Sequence, residues 1–471
     1  MSMRKARKDG MYLLLLGSAV FLLLGTALES ASSVSMTDFK VVYYSARCLL
    51  HRSDPYNVSS VLRTYRDEAE ERPSKPAYDL QVVTQYIYLP TAFSFTVPFA
   101  MLPFGPAHLL WMALVVGGLI FASFLIWDIA ADYAPIVTGA LLCFLLANNV
   151  LIVIIGNAAG IAISFCVVAV WCFYKKKFAA LGVLCLAFSL ALKPHDTGLV
   201  WLYFLLAGGV YRKRALQTLA VFIVLSLPVI LWVTYVSPHW MQELSSNMAA
   251  LSVHGGINDP SPVSSGAHGM GMMINLQTAL SFFKNDPRFY NPATYLICGV
   301  LLLVWLFTIL RLRTTPARTR LALAVIAPLS LLPVYHRQCD ATLLLLTVPA
   351  CAMLWSEGAM IGRLAFMVTA AAFVLTGNLT WAAILIPLYS LHLALSRQAG
   401  QIFIAAQVLP APLILLTMAI FYLWIYMRRA DEPAKSDSGE GGQKAPGRKG
   451  GVPTGHNGAA ASKNALAIRK S

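Results

Sequence analysis

Charged side chains are scarce. Asp, Glu, Lys and Arg together make up only 12% of the 471 residues, about half the roughly 25% typical of soluble domains. That scarcity excludes a water-soluble globular protein of this length. No Cys-x-x-Cys pair and no Cys/His metal spacing occurs. Of the eight cysteines, Cys143, Cys166, Cys172, Cys185, Cys298 and Cys351 sit inside apolar runs, where they act as small hydrophobes. Neither a disulfide framework nor a zinc motif is therefore expected. A repeat with a period of about 20–50 residues is also missing, which argues against a solenoid.

What the chain has instead is hydrocarbon. It is 58% hydrophobic, with a mean hydropathy of +0.66. The apolar residues fall in blocks such as "MYLLLLGSAVFLLLGTAL" and "LAVFIVLSLPVILWVTYV", each near the roughly 20 residues that span a bilayer core. Lipid offers no partners to backbone amides, so such blocks must be helices. The fold class expected is an all-α polytopic membrane protein.

The net charge of +15 fits cytoplasmic loops better than a nucleic-acid partner, because Lys and Arg collect in short loops and in the tail. "MSMRKARKDG" places residues 1–10 in the cytoplasm. The first apolar block, 11–29, is longer than a signal-peptide core and is expected to be retained. Residues 30–85 then form an external loop. "YKKKF", "YRKRA" and "RLRTTPARTR" mark later cytoplasmic turns, so "GNAAG", "LKPHD" and "YHRQCD" fall outside. Keeping that parity leads us to expect Pro135 to Ile155, broken at Asn148-Asn149, to be a hairpin that does not fully cross. Spans are expected within 86–236 and 293–427, with a second external loop over 237–292. Arg428 and Arg429 favour a cytoplasmic end, and the Gly-, Ser- and Lys-rich segment 428–471 reads as a disordered basic tail.

The stretch "TDFKVVYYSARCLLHRSDPYN" stands out in the first loop. Phe39, Tyr43, Ala46 and Leu50 share one helical face while Lys40 and Arg47 fall elsewhere, which suits an interfacial helix. Thr37 is the expected N-cap, and Asp38 sits in the first turn, where the helix dipole favours a carboxylate. Pro55 ends the helix and opens a turn. Asp38 is then either a simple complement to the helix terminus or a base facing chemistry at the membrane surface.

This stretch, followed by "YIYLPTAFSFTVPFAMLPFGPAHLLW" and then by "GNAAG", "LKPHD", "MINLQTALSFF" and "YHRQCDATLLLLTVPA", resembles the family 87 glycosyltransferases. The resemblance covers most of the chain except the tail. It implies a GT-C type fold with a long external first loop, in a bacterial plasma membrane. It also implies a polyprenyl-phosphate-mannose-dependent α-mannosyltransferase activity. Two departures bear on substrate choice: members often carry Gly-Gln where this chain has Gly156-Asn157, and Lys-Pro-Gln where it has Lys193-Pro194-His195.

The resemblance makes Asp38 the general base. The partners it implies are a polyprenyl-phosphate sugar donor, a lipid or glycan acceptor and the surrounding membrane lipids, with no nucleic acid. The departing phosphate needs cations on the same side, and parity offers Lys193, His195, His336 and Arg337. Each has a plainer reading as a residue reaching for lipid head groups or water. Tyr43, Asp54, Tyr56, Tyr88, Asn157 and Asp340 are weaker candidates for substrate contact. Asp340 is the expected partner of Arg337. Tyr86, Tyr88, Trp240 and Tyr335 suit stacking on sugar or lipid, or an ordinary aromatic belt. The external acids look scattered, so no metal or other cofactor is expected. The competing readings are a transporter or flippase and a lipid-pyrophosphate-dependent polymerase or ligase.

Overall fold

In the computed structural model, residues 2–32, 35–68, 82–261, 273–311, 313–380, 383 and 409–429 are described. Among them the only β contact is one bridge between Met273 and Arg337; the rest is helix and connection. Six helices are long and apolar enough to cross a bilayer: Met3–Ala31, Phe104–Ala130, Gly209–Val236, Pro287–Arg311, Gln338–Ser356 and Pro410–Arg428. The chain is a polytopic α-helical membrane protein. Four shorter apolar helices, Pro135–Asn148, Ala159–Lys175, Ala179–Leu192 and Met360–Thr376, complete the bundle. Residues 430–471 of the expected tail, 69–81 of the first external loop and 262–272 of the second lie outside the described residues.

The first helix packs closely on its neighbour through glycines. A Cβ on Gly10 would meet Pro135, one on Gly17 would meet Cys143, and one on Gly25 would meet Val153. Both numberings rise together, so the two segments run parallel. Pro135 to Ile155 therefore traverses the bundle in one direction, with a break at Asn149 and a short helix Leu151–Ile154. The expected hairpin there is not what forms. The element that fails to cross is the earlier one, helix Phe93–Ala100. Eight residues at 1.5 Å rise reach only about 12 Å. Both of its ends stay at one level: the Thr91 hydroxyl donates to Ala191 O at 2.8 Å, and the Tyr43 hydroxyl to Leu102 O at 2.8 Å.

The basic clusters gather at one end. Arg7 pairs with Asp132 at 2.8 Å and Lys175 with Asp128 at 2.9 Å. Arg320 donates to the hydroxyls of Tyr133 and Tyr174 at 2.6 and 2.8 Å. Arg318 reaches the carbonyl of Arg429 at 3.2 Å, so the last described helix ends beside the basic loops. This is the charge segregation that positive-inside loops produce.

At the opposite end lies helix Thr37–Leu50. Thr37 is its first helical residue and not its cap; the N-cap is Met36, in the left-handed region at φ 54°. No side chain caps this terminus. Instead the amides of Met36 and Asp38 donate to Ile154 O and Ile155 O at 2.8 and 2.9 Å, which satisfies donors a helix start leaves open. Gly156 follows at φ 64°, and a Cβ there would sit 2.4 Å from Met36 Sδ. Only glycine fits both that backbone and that space. The helix is also more deeply covered than an interfacial stripe requires: Val41, Val42, Tyr44, Ser45, Cys48 and Leu49 are buried along with Phe39 and Tyr43.

The second loop closes over the first. Helix Trp240–Leu251 sends Asn247 Nδ2 to Tyr56 O and Tyr86 O at 2.9 and 3.2 Å. Further along, Ile274 N donates to His336 O at 3.0 Å.

Candidate functional site

Four separate stretches converge beneath that loop. Asp38 arrives on the first turn of its helix. Asn157 follows the Gly156 bend, and its amide Nδ2 donates to Asp38 Oδ2 at 2.5 Å. Its Oδ1 accepts from Ala159 N at 2.8 Å and from Lys193 Nζ at 3.4 Å. Asn157 thus holds the carboxylate on one side and the ammonium on the other.

Lys193 stands between helices Ala179–Leu192 and Pro194–Leu206. A residue before proline is pushed out of helical geometry, and Lys193 leaves the helical region at φ −144°, ψ 78°. That break turns its side chain into the protein, where it is 6% exposed. Its Nζ lies 2.5 Å from Asp340 Oδ1 and 3.7 Å from Asp196 Oδ2. A buried ammonium needs such partners.

Asp340 has a second tie, its Oδ2 accepting from the backbone N of Arg337 at 2.9 Å. The expected Arg337–Asp340 pairing therefore forms through the backbone, and the side-chain partner of Asp340 is Lys193. The Arg337 guanidinium donates instead to Ile257 O at 2.7 Å and lies over the Tyr335 ring at 5.7 Å. It still acts electrostatically on Asp38.

His336 is fully buried, with Nε2 3.0 Å from Asp196 Oδ1 and Nδ1 3.1 Å from Val334 O. Both of its ring nitrogens face protein oxygens, so it stands behind Asp196 in the cluster. His195 is 40% exposed at the side chain and its Nε2 lies 3.5 Å from the same Asp196 oxygen. Asp196 is the residue that sequence reasoning passed over. It ends the quoted "LKPHD", and an acid next to a buried lysine at a helix break was the available signal.

Tyr43 and Tyr56 are core residues, each 1% exposed. The Tyr56 hydroxyl donates to Tyr88 O at 2.9 Å, so both tyrosines brace the loop and present no hydroxyl to a substrate. Asp54 accepts from Tyr56 N at 2.9 Å and sets the turn after Pro55. Tyr88 and Tyr335 are half-buried beside the cluster and act on Asp38, Asp340 and Lys193 through space. Burial raises both phenols, Tyr335 to about 12. Both remain neutral hydrogen-bond donors. Tyr86 is buried and stacked on Phe93 with centroids 4.8 Å apart, and Trp240 packs near Tyr56.

The Asp38 carboxyl keeps partial solvent access. Burial raises its pKa above the ordinary carboxylate value, while Arg337, the Asn157 amide and Lys193 pull it back down. A carboxylate made more basic by its surroundings, yet held ionisable by cations, is suited to accept a proton.

Comparison with protein-family models, curated proteins and solved structures returns no match. The functional reading therefore rests on the site.

The pKa balance has a direct consequence. The Asn157 hydrogen bond favours the ionised form of Asp38, so Asn157→Ala raises that carboxyl further. If Asp38 serves as a general base, it works only when ionised. The acid limb of kcat/KM should therefore move to higher pH in Asn157→Ala, with the plateau reached only in more alkaline buffer. A pH profile on purified protein measures this, and an unmoved or downward-shifted limb would separate Asn157 from the base.

Proposed function

We propose that the protein is an integral-membrane hexosyltransferase that uses a polyprenyl-phosphate sugar, with mannose the sugar suggested by the family 87 resemblance. The acceptor is a hydroxyl of an envelope glycolipid or glycan, and the reaction takes place at the external face. The observation that carries this reading is the chain Asp38–Asn157–Lys193–Asp340, with Arg337 alongside, at the end of the bundle opposite the basic loops. It sets one proton acceptor beside two cations, which is what transfer from a lipid phosphate requires.

In the proposed step the acceptor oxygen attacks the anomeric carbon as the bond from that carbon to the phosphate oxygen breaks. The hydroxyl proton goes to Asp38, and the lipid phosphate leaves carrying the bonding electron pair. Arg337 and Lys193 supply the field that steadies the developing negative charge. A single displacement at a β-linked donor gives an α-linked product, with no covalent enzyme intermediate.

Donor class is the sharpest test. Membranes carrying the protein are offered labelled polyprenyl-phosphate mannose or the matching sugar on polyprenyl pyrophosphate. Label should pass to a lipid or glycan acceptor from the monophosphate donor alone. Consumption of the pyrophosphate donor would replace this reading with a polymerase or ligase. Donor movement across the bilayer without transfer would replace it with a flippase.

A further inference from the structure

Asp196 is fully buried, and its two carboxylate oxygens face different groups. Oδ2 lies toward the Lys193 ammonium at 3.7 Å. Oδ1 lies between two imidazoles, 3.0 Å from His336 Nε2 and 3.5 Å from His195 Nε2. One ligand atom from each of the three residues falls within 4.8 Å of the others. These three residues are not adjacent by accident of one helix turn: His195 and Asp196 open helix Pro194–Leu206, while His336 comes from a loop 140 positions later.

His336 is the informative member. Its Nδ1 faces the carbonyl of Val334 at 3.1 Å. A carbonyl only accepts, so Nδ1 must carry hydrogen. Its Nε2 then faces a carboxylate, which also only accepts. A neutral imidazole cannot satisfy both directions. A cation must lie between Nε2 and Asp196, and it is either a proton or a metal ion.

We infer that His195, Asp196 and His336 form a binding site for a divalent transition-metal ion of the zinc class. At bond lengths of about 2.0–2.2 Å, ligand atoms around tetrahedral zinc stand roughly 3.3–3.5 Å apart. The two separations to Asp196 Oδ1, 3.0 and 3.5 Å, lie close to that spacing, and the three ligand atoms, all within 4.8 Å of one another, need only a side-chain rotation of the half-exposed His195 to close on one ion. The donor set of two imidazoles and a carboxylate suits zinc-like ions. A ligating histidine ordinarily donates its other ring nitrogen to a carbonyl or carboxylate, as His336 does to Val334. Three protein ligands leave a fourth position open to water or substrate, and the half-exposed His195 marks the way in.

Charge points the same way. Lys193 and Arg337 are two cations among three carboxylates, Asp38, Asp196 and Asp340. The cluster is one positive charge short of neutrality before any anion arrives. A divalent ion reverses that sign, and its open position admits a phosphate or carboxylate oxygen. The inference about the ion stands on the three residues and does not need the transferase reading.

The test uses the full chain, purified in detergent through a tag without histidine, stripped with chelator and titrated with Co²⁺ and then Zn²⁺. The expected result is one Co²⁺ per chain, with visible d–d absorption that Zn²⁺ abolishes. His195→Ala and Asp196→Asn should each weaken Co²⁺ binding by about tenfold or more, the scale on which even outer-shell changes act. His254→Ala, at an exposed histidine outside the cluster, should leave it unchanged. His195 is half exposed, so its variant is read against an unaltered melting temperature. If the wild-type chain binds no Co²⁺ or Zn²⁺, or if His195→Ala binds as well as wild type, the cation between His336 and Asp196 is a proton and the inference fails.

Discussion

Asp38→Asn should lower sugar transfer by about 10²–10⁴-fold, the range a positioned general base contributes, while leaving the fold intact. The substitution keeps the shape of the side chain and removes only its ability to take a proton. The helix that carries it is anchored through backbone donors, from Met36 and Asp38 to Ile154 O and Ile155 O, and those bonds do not involve the carboxylate. Donor binding should change little, because Lys193 and Arg337 remain in place, so the loss should appear in kcat more than in KM. Expression level and melting temperature in detergent supply the control. Transfer within a fewfold of wild type would remove Asp38 from the chemistry. It would then be a helix-terminus carboxylate with an incidental neighbour.

Lys193→Met should be the most damaging change to stability. The ammonium is buried and is the side-chain cation facing both Asp340 and Asp196. Its removal takes from Asp340 the ammonium it pairs with and from Asp196 one of its cationic neighbours, and breaking a buried ion pair from one side costs about 3–5 kcal/mol. Methionine fills a similar volume, so the cost is electrostatic and not a cavity. Adding Asp340→Asn to that background removes one stranded charge and should recover a large part of the loss. Thermal unfolding of the single and double variants measures this. Strictly additive losses would mean that the two residues do not depend on each other, contrary to the 2.5 Å contact.

How much of the site was legible beforehand can be followed residue by residue. Lys193 stands out because charge at the ends of apolar helices is costly to place, and Asn157 because it departs from the Gly-Gln of the family that the chain resembles. The basic loops set the parity that put them on the same side as Asp38. The non-crossing element that keeps this parity is helix Phe93–Ala100, not the segment from Pro135 to Ile155. Periodicity cannot tell a short crossing helix from a buried non-crossing one, and the glycines that pack the first helix on its neighbour have no local signature. Tyr43 and Tyr56 are candidate substrate contacts by their place in the first loop alone. Their hydroxyls are spent on Leu102 O and Tyr88 O, partners no spacing rule points to.

Composition by itself determined the class. A chain this poor in charge and this rich in long apolar blocks has helices in lipid as its only way to satisfy the backbone, and the placement of Lys and Arg settles which loops belong together. Tertiary structure alone decided which polar groups meet. Asp196, His195 and His336 became one cluster, and Asp340 became the partner of Lys193 instead of the Arg337 side chain. Contacts between residues more than a hundred positions apart depend on how helices break and turn, as at Lys193-Pro194 and Gly156, and that geometry is fixed only when the bundle packs.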